Sequence, residues 1–331
     1  MICGPTESTD DPVSGLKIDT KQETEQHMKE WISLFLKGLL MGAANVIPGV
    51  SGGTIALITG IFERLVNALR RCNPVAAGLF FRGKFKELMV YIDGYFLAAI
   101  MLGVVVSIVS LARLFEYLLE NNEVGIMSFF FGLILLSIYY VGKTVTNWSP
   151  VAIALCVLGI AIAVGVALLA PASENSSAFY VFLCGVVAIC SMILPGLSGS
   201  FVLIMMGNYA LVLSAINTLN FAVLLPLVAG CAIGLIAFSH LLGWIFKRYH
   251  DQTVALMTGF VVGSLVVIWP WKTALTDIVT RDGKADKEVI VGYDWYWPAL
   301  GSSETMTALL LMVAGAIAIV VMQWVAGREH H

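Results

Sequence analysis

Charge is scarce in this chain: only 12% of its 331 residues are Asp, Glu, Lys or Arg, about half the ~25% of an average soluble domain. With 59% hydrophobic residues, there is too little polar surface to cover a water-soluble globule of this size. Neither sign of charge dominates the formal net of −3, so nothing favours a nucleic-acid partner. Cysteine pairs at C-x-x-C spacing are missing. Five of the six cysteines, Cys72, Cys156, Cys184, Cys190 and Cys231, lie in or beside apolar segments and read as packing residues, not as a disulfide framework or metal site. H-E-x-x-H, G-x-S-x-G and Walker patterns are all absent, and few histidines or carboxylates fall inside apolar stretches, which disfavours a membrane-embedded hydrolase. The chain therefore reads as a non-enzyme with no cofactor and no metal.

What the chain does have is long apolar runs. Those near residues 95–119, 124–142, 150–169, 222–246, 253–271 and 305–326 approach or exceed the ~20 residues of a membrane-crossing helix. Two further blocks, 31–71 and 178–216, are too long for one crossing and are interrupted midway. In the first, "ANVIPGVSGGTIALITGIFERL" places Pro48, Gly49, Gly52 and Gly53 in the centre. Proline removes a backbone donor and glycine admits the angles of a tight bend, so the block is expected to form a re-entrant helical hairpin. Non-helical backbone at membrane depth is tolerated only against protein or a watery cavity.

The second block repeats the first. In "MILPGLSGSFVLIMMGNY", Pro195, Gly196, Ser198, Gly199 and Gly207 follow Pro48, Gly49, Ser51, Gly52 and Gly60 at a constant offset of 147, as Gly185 follows Gly38. Downstream the offset falls to 127, bringing Gly103 onto Gly230 and Gly132 onto Gly259. The expected fold is an all-α integral membrane protein built as an inverted repeat of one re-entrant hairpin plus three transmembrane helices. A polar tail, 1–30, precedes repeat 1 at 31–170, with its hairpin at 31–71. Repeat 2 occupies 178–326, with its hairpin at 178–216 and an outer loop at 272–304. Three crossings per unit is odd, so the copies should be inverted relative to one another, as in many secondary transporters. Loop charge agrees: Arg70, Arg71, Arg82, Lys84, Lys86, Lys143, Lys247, Arg248 and Arg328 gather on one side, which the positive-inside rule makes cytoplasmic along with both termini. No signal-peptide pattern opens the chain, and His330 and His331 are set aside as a tag remnant.

Two tips meeting near the midplane would turn backbone N–H groups and helix N-termini toward one cavity, an arrangement that favours phosphate or carboxylate. Gly49, Gly52, Gly53, Gly196 and Gly199 shape the tips. Ser51, Thr54, Ser198 and Ser200 add hydroxyls, and Asn45 an amide. Small residues at a hairpin tip also serve close helix packing, so this reading competes with a purely structural one. Ionisable residues in the apolar segments are few, and a charge there is costly unless paired or facing a cavity. Glu63 reads either as a helix-capping group or as a proton or counter-charge site, and Arg64 as a snorkelling residue or a phosphate contact. Arg113 reads as the partner of Glu116 or, through its alignment with His240, as one of two basic sites in equivalent positions. "YDWYWP" at 293–298 reads as an interfacial aromatic belt or a guide for a lipid tail.

The segments "GAANVIPGVSGGTIALITGIFERL" and "ILPGLSGSFVLIMMGNY" resemble the signatures of the bacterial polyprenyl-phosphate transporter family, and the resemblance extends over nearly all of 31–326. It implies a multi-pass protein of the bacterial cytoplasmic (inner) membrane that returns undecaprenyl phosphate, the carrier of cell-envelope glycan synthesis, from the outer to the inner leaflet. It places Asn45, Pro48, Gly49, Ser51, Gly52, Gly53, Glu63 and Arg64 in the first motif and Pro195, Gly196, Ser198 and Gly199 in the second. Partners implied are the polyprenyl phosphate and membrane lipids. Proton coupling through Glu63 or His240 and a homodimer through Gly-rich helix faces are open options. Two alternatives stand beside this reading: an ion-coupled transporter of a small soluble anion, and a non-transporting membrane scaffold.

Overall fold

A computed structural model describes residues 12–46, 51–169, 171–281, 284–299 and 301–327; Pro48 and Gly49 and the side chain of Arg113 lie outside the described residues. The chain is helical almost throughout, and among the described residues five helices are long and apolar enough to cross a membrane. The sixth expected crossing, at 253–271, ends early: its helix runs from His250 to Ser264 and then loosens into turns at Leu265–Ile268. Expected spans 95–119 and 124–142 form one helix in the hydrogen-bond pattern, α6 (Gly94–Lys143), in which Asn122 alone leaves helical angles (φ −154°, ψ 58°).

Both interrupted blocks bend back on themselves. α1 (Pro12–Val46), which takes in much of the expected polar tail, leads to the short helix α2 (Gly52–Ile58). A left-handed Gly60 (φ 73°) then starts the turn into α3 (Phe62–Arg70). Arg64 of α3 lies against Glu30 of α1 at 2.8 Å, so the chain has returned to the end it entered from. α4 (Pro74–Phe81) and α5 (Phe85–Tyr91) follow, filling the stretch by which the first block's exit exceeds the second's.

α7 (Pro150–Leu168) then precedes the second block. There α8 (Ala178–Ile193) leads to α9 (Gly199–Met205), Gly207 repeats the φ of 73°, and α10 (Tyr209–Thr218) follows. Asn208 accepts from the Asn175 amide and donates back to the Asn175 carbonyl, at 2.9 and 2.8 Å, closing this hairpin at its own entry. α9 and α10 are bent by 112°. The chain continues through α11 (Phe221–Arg248), α12 (His250–Ser264), an antiparallel pair β1 (Lys272–Arg281) and β2 (Lys284–Trp295), and α13 (Ser303–Gly327).

Helix packing rests on glycine. A Cβ at Gly38 would collide with the Ile100 carbonyl and one at Gly103 with the Phe35 carbonyl, so α1 and α6 cross glycine on glycine. The second block repeats this with Gly185 and Gly230 against the carbonyls of Leu227 and Phe182, residues at the same offsets. Further along, Gly42 faces Ser107 in the first pair and Ile189 faces Gly234 in the second. The small residue has changed sides. Two more crossings are built the same way: Gly132 of α6 with Gly315 of α13, and Gly159 of α7 with Gly259 of α12. Without a hydrophobic force between helices in lipid, such close backbone approach is the main source of packing energy.

Candidate functional site

The two tips touch. The Gly196 amide, in a left-handed turn (φ 81°), donates to Thr54 Oγ1 at 2.9 Å, and Ser51 Oγ donates to the Leu194 carbonyl at 3.5 Å. Gly53 lies against the Ile193 carbonyl, where a Cβ would come within 2.9 Å. Amides that would serve an anion are already used by the protein: Gly52 N–H donates to Asn45 Oδ1 at 2.8 Å, Gly53 N–H to Ser51 Oγ at 3.1 Å, and Thr54 N–H to the Ser51 carbonyl at 3.0 Å. Ser51 and Thr54 are buried, Asn45 is exposed. In the second tip Gly199 is buried, whereas the Ser198 and Ser200 hydroxyls pair at 2.8 Å in an exposed position. Thr54→Val strands the buried Gly196 N–H and is expected to lower stability by about 1–3 kcal/mol. Thr54→Ser keeps the acceptor and should restore it, as read by thermal unfolding in detergent.

The polar cavity lies away from the tips, beneath the returning arm of the first hairpin. Its volume is about 740 Å³, and its walls include Gly60, Glu63, Arg64, Asn67, Arg70, Arg71, Asp93, Lys247 and His250. α3 builds one wall by its periodicity. Phe62 and Val66, four apart, are buried, while Glu63, Asn67 and Arg70 fall at i, i+4 and i+7 on the cavity face. Phe62 anchors α3 against Phe246 of α11, ring centroids 5.7 Å apart. Arg70 lies over Gly243 of α11, whose missing side chain leaves room for the guanidinium.

Arg64 is engaged at both edges. It meets Asp93 bidentately, Nε to Oδ2 at 2.7 Å and Nη2 to Oδ1 at 3.2 Å, and donates from Nη1 to Glu30 at 2.8 Å. Its guanidinium also covers the Phe96 ring at 4.5 Å. Glu63 meets His250 Nε2 at 3.0 Å, joining the hairpin to the first residue of α12. Among the described residues Arg70 and Lys247 make no ion pair. In the sequence Arg70, Arg71 and Lys247 read as loop-end orientation signals and His250 belongs to no motif, so only the structure brings these four to the site. The signal that was available is the i, i+4, i+7 run on α3.

Asp251, next to His250, accepts from the Thr146 amide at 3.2 Å, the Thr146 hydroxyl at 2.7 Å and the Asn147 amide at 2.9 Å. The Thr146 hydroxyl and amide bonds push its carboxyl down to about 2 from the usual 3.8. A depressed carboxylate stabilises above its unfolded pKa and loses that contribution as pH falls through its folded one. Amide exchange at Thr146 and Asn147 should accordingly stay protected from neutral pH down to about 4 and open toward pH 2. Asp251→Asn should weaken that protection at neutral pH and remove this pH dependence.

The remaining expected residues are elsewhere. His240 is exposed on α11 with Nδ1 2.8 Å from the Ile236 carbonyl, and Gly49 and the Arg113 side chain lie outside the described residues. Of the expected set, the cavity takes in Glu63 and Arg64.

A family model described as undecaprenyl phosphate translocase-like matches residues 41–286. That span covers both hairpin tips and most of the bundle. The chain belongs to the undecaprenyl phosphate translocase-like family. Two curated relatives are similar over most of their length. A polyprenyl-phosphate transporter of Vibrio cholerae serotype O1 is 39% identical over 293 residues, 88% of this chain and 95% of that protein. A polyprenyl-phosphate transporter of Staphylococcus aureus is 33% identical over 259 residues, 73% and 87% respectively. No solved structure matches. Membership of this translocase-like family accords with the apolar helices of a multi-pass membrane protein.

Proposed function

We propose that this protein transports polyprenyl phosphate across the bacterial cytoplasmic membrane, returning it from the outer to the inner leaflet for reuse in cell-envelope glycan synthesis. The observation that carries this is the cavity beneath the first hairpin, where Arg70 and Lys247 stand without carboxylate partners among the described residues. An unpaired cation is costly within a membrane protein unless it faces water or an anionic ligand. Phosphate suits this site because guanidinium groups donate to it in a planar fork. The relatives' names supply the lipid.

The two halves are an inverted duplication, and the protein works by alternating access between them. Support comes from the matched glycine crossings, from Gly60 and Gly207 sharing one turn angle, and from hairpins that each close on their own entry. The basic cavity faces the cytoplasm, where the positive-inside rule puts Arg70, Arg71, Lys143, Lys247 and Arg248. In this conformation the phosphate is released or received from the cytoplasmic side, and the sealed tips close the path to the other. The tip residues Asn45, Gly49, Ser51, Gly52, Gly53, Thr54, Gly196, Ser198, Gly199 and Ser200 form the central gate, and separating the tips frees the Gly196 amide and the Ser51 hydroxyl to meet the headgroup. Glu63, which meets His250 at the cavity wall, serves there as a counter-charge or proton site.

Native mass spectrometry of the purified protein tests this. Polyprenyl phosphate should bind more tightly than polyprenyl diphosphate or an ordinary anionic phospholipid. Equal binding of all three would remove the lipid specificity.

A further inference from the structure

At the other end of the bundle from the basic cavity is a second one, of about 390 Å³, walled by Phe131 of α6, Leu265 after α12, Trp269, and the Trp295, Tyr296 and Trp297 that close β2. Three of its N–H groups are spent on holding it together. Trp269 Nε1–H donates to the Tyr296 carbonyl at 3.2 Å, Trp295 Nε1–H to the Val266 carbonyl at 3.0 Å, and the Tyr296 amide to the Trp271 carbonyl at 3.0 Å. Two segments distant in sequence are thereby laced into one rigid wall. Trp269 stands at the centre, edge-on to Phe131 at 5.5 Å, Trp271 at 5.4 Å and Trp297 at 5.5 Å. What remains facing the cavity is mainly aromatic face and aliphatic carbon, with a volume in the range of small-ligand sites.

We propose that this aromatic pocket binds an isoprenoid segment of the polyprenyl tail, making the hydrocarbon as well as the phosphate a determinant of which lipid is carried. The inference rests on the polyprenyl-phosphate reading above. Three features favour an isoprenoid over a straight acyl chain. With the Trp269 and Trp295 N–H groups bonded internally and no charged residue in its lining, the wall presents mainly apolar surface. Its shape is held by hydrogen bonds and edge-on ring contacts, so it does not remodel around a flexible chain. Methyl branches and double bonds at fixed intervals make an isoprenoid stiff and knobbed, and such a chain loses less freedom in a preformed pocket than a saturated one. Trp297, 84% exposed, forms the outer lip past which the tail would enter.

The probe is uncharged polyprenol, which lacks the phosphate and so reports the tail site alone, compared with a saturated straight-chain alcohol of equal carbon number. Wild type should bind polyprenol in detergent at least about tenfold more tightly than the alkanol. Trp269→Ala and Trp297→Ala should each remove that preference, while the phosphate-dependent increment, the ratio of polyprenyl phosphate to polyprenol affinity, stays unchanged. Trp297→Ala guards against misfolding, since its exposed side chain is removable without opening the bundle. Equal binding of polyprenol and alkanol, or a preference untouched by both variants, would overturn the proposal. A retained polyprenol preference with no phosphate increment would overturn the transport reading and leave the pocket standing.

Discussion

Replacing Arg70 and Lys247 together by glutamine is expected to weaken polyprenyl phosphate binding by at least about 100-fold, because each replaced cation forfeits a charge-assisted hydrogen bond of about 1.5–3 kcal/mol. Both side chains line the cavity and neither has a carboxylate partner among the described residues. Their charge is therefore free for a ligand, and removing it breaks no ion pair. Thermal stability should stay within about 0.5 kcal/mol of wild type, and the affinity for uncharged polyprenol should not move. Arg64→Gln is the instructive contrast. It leaves Glu30 and Asp93 facing one another without their shared guanidinium, so its effect should appear in the docking of α3 as well as in binding. The pair is half-exposed, and solvent screening keeps the stability share small. Unchanged phosphate binding in the double variant would move the headgroup site out of this cavity.

Gly132→Val and Gly259→Val are each expected to destabilise the protein by at least about 3 kcal/mol, the upper end of overpacking costs, and to reduce the folded yield to match. At both positions the first added carbon runs into a backbone carbonyl, that of Met312 for Gly132 and of Cys156 for Gly259. A side-chain tip could swing away. A helix backbone cannot do so without separating the pair. These two glycines stand 127 positions apart, the offset of the proposed duplication, so similar losses are expected; widely different ones would count against the duplication. Gly165→Ala is the control: no atom lies within 4 Å of its would-be Cβ, and in a helix the exchange should be neutral or stabilise by about 0.5–1 kcal/mol. Both are measured by thermal unfolding and size-exclusion yield in one detergent.

Much of this architecture was legible without coordinates, for reasons particular to certain residues. In the second block Pro195 and Gly196 (φ 81°) stand where α8 gives way to α9, since proline lacks a backbone donor and glycine admits left-handed angles. Gly60 and Gly207 (φ 73° each) turn each arm back. Pro48 and Gly49 lie outside the described residues, and Gly52 and Gly53 open α2. The offset of 147 anticipated that Gly38 and Gly185 would do the same work. The β1–β2 pair inside the expected outer loop gave no such sign, because its strands alternate too weakly to stand apart from a polar connection. The early end of α12 was hidden by the apolar run "LVVIW" that follows Ser264 and continues the hydropathy of a span.

The site divides along the same line. From the sequence by itself came the membrane-spanning character, the two broken helices and the pairing of their motifs, because composition, chain breaks and internal similarity are properties of the chain alone. Only the tertiary structure decided which groups are free. Thr54 reads as an open hydroxyl in the sequence, yet its oxygen accepts from the Gly196 amide, 142 positions away. Arg70 reads as a loop signal, yet it lies in a cavity because Gly243 leaves room for it. A hydroxyl or a guanidinium has the same chemistry wherever it falls in the chain. Whether that chemistry is available to a ligand depends on which partner the fold brings within about 3 Å.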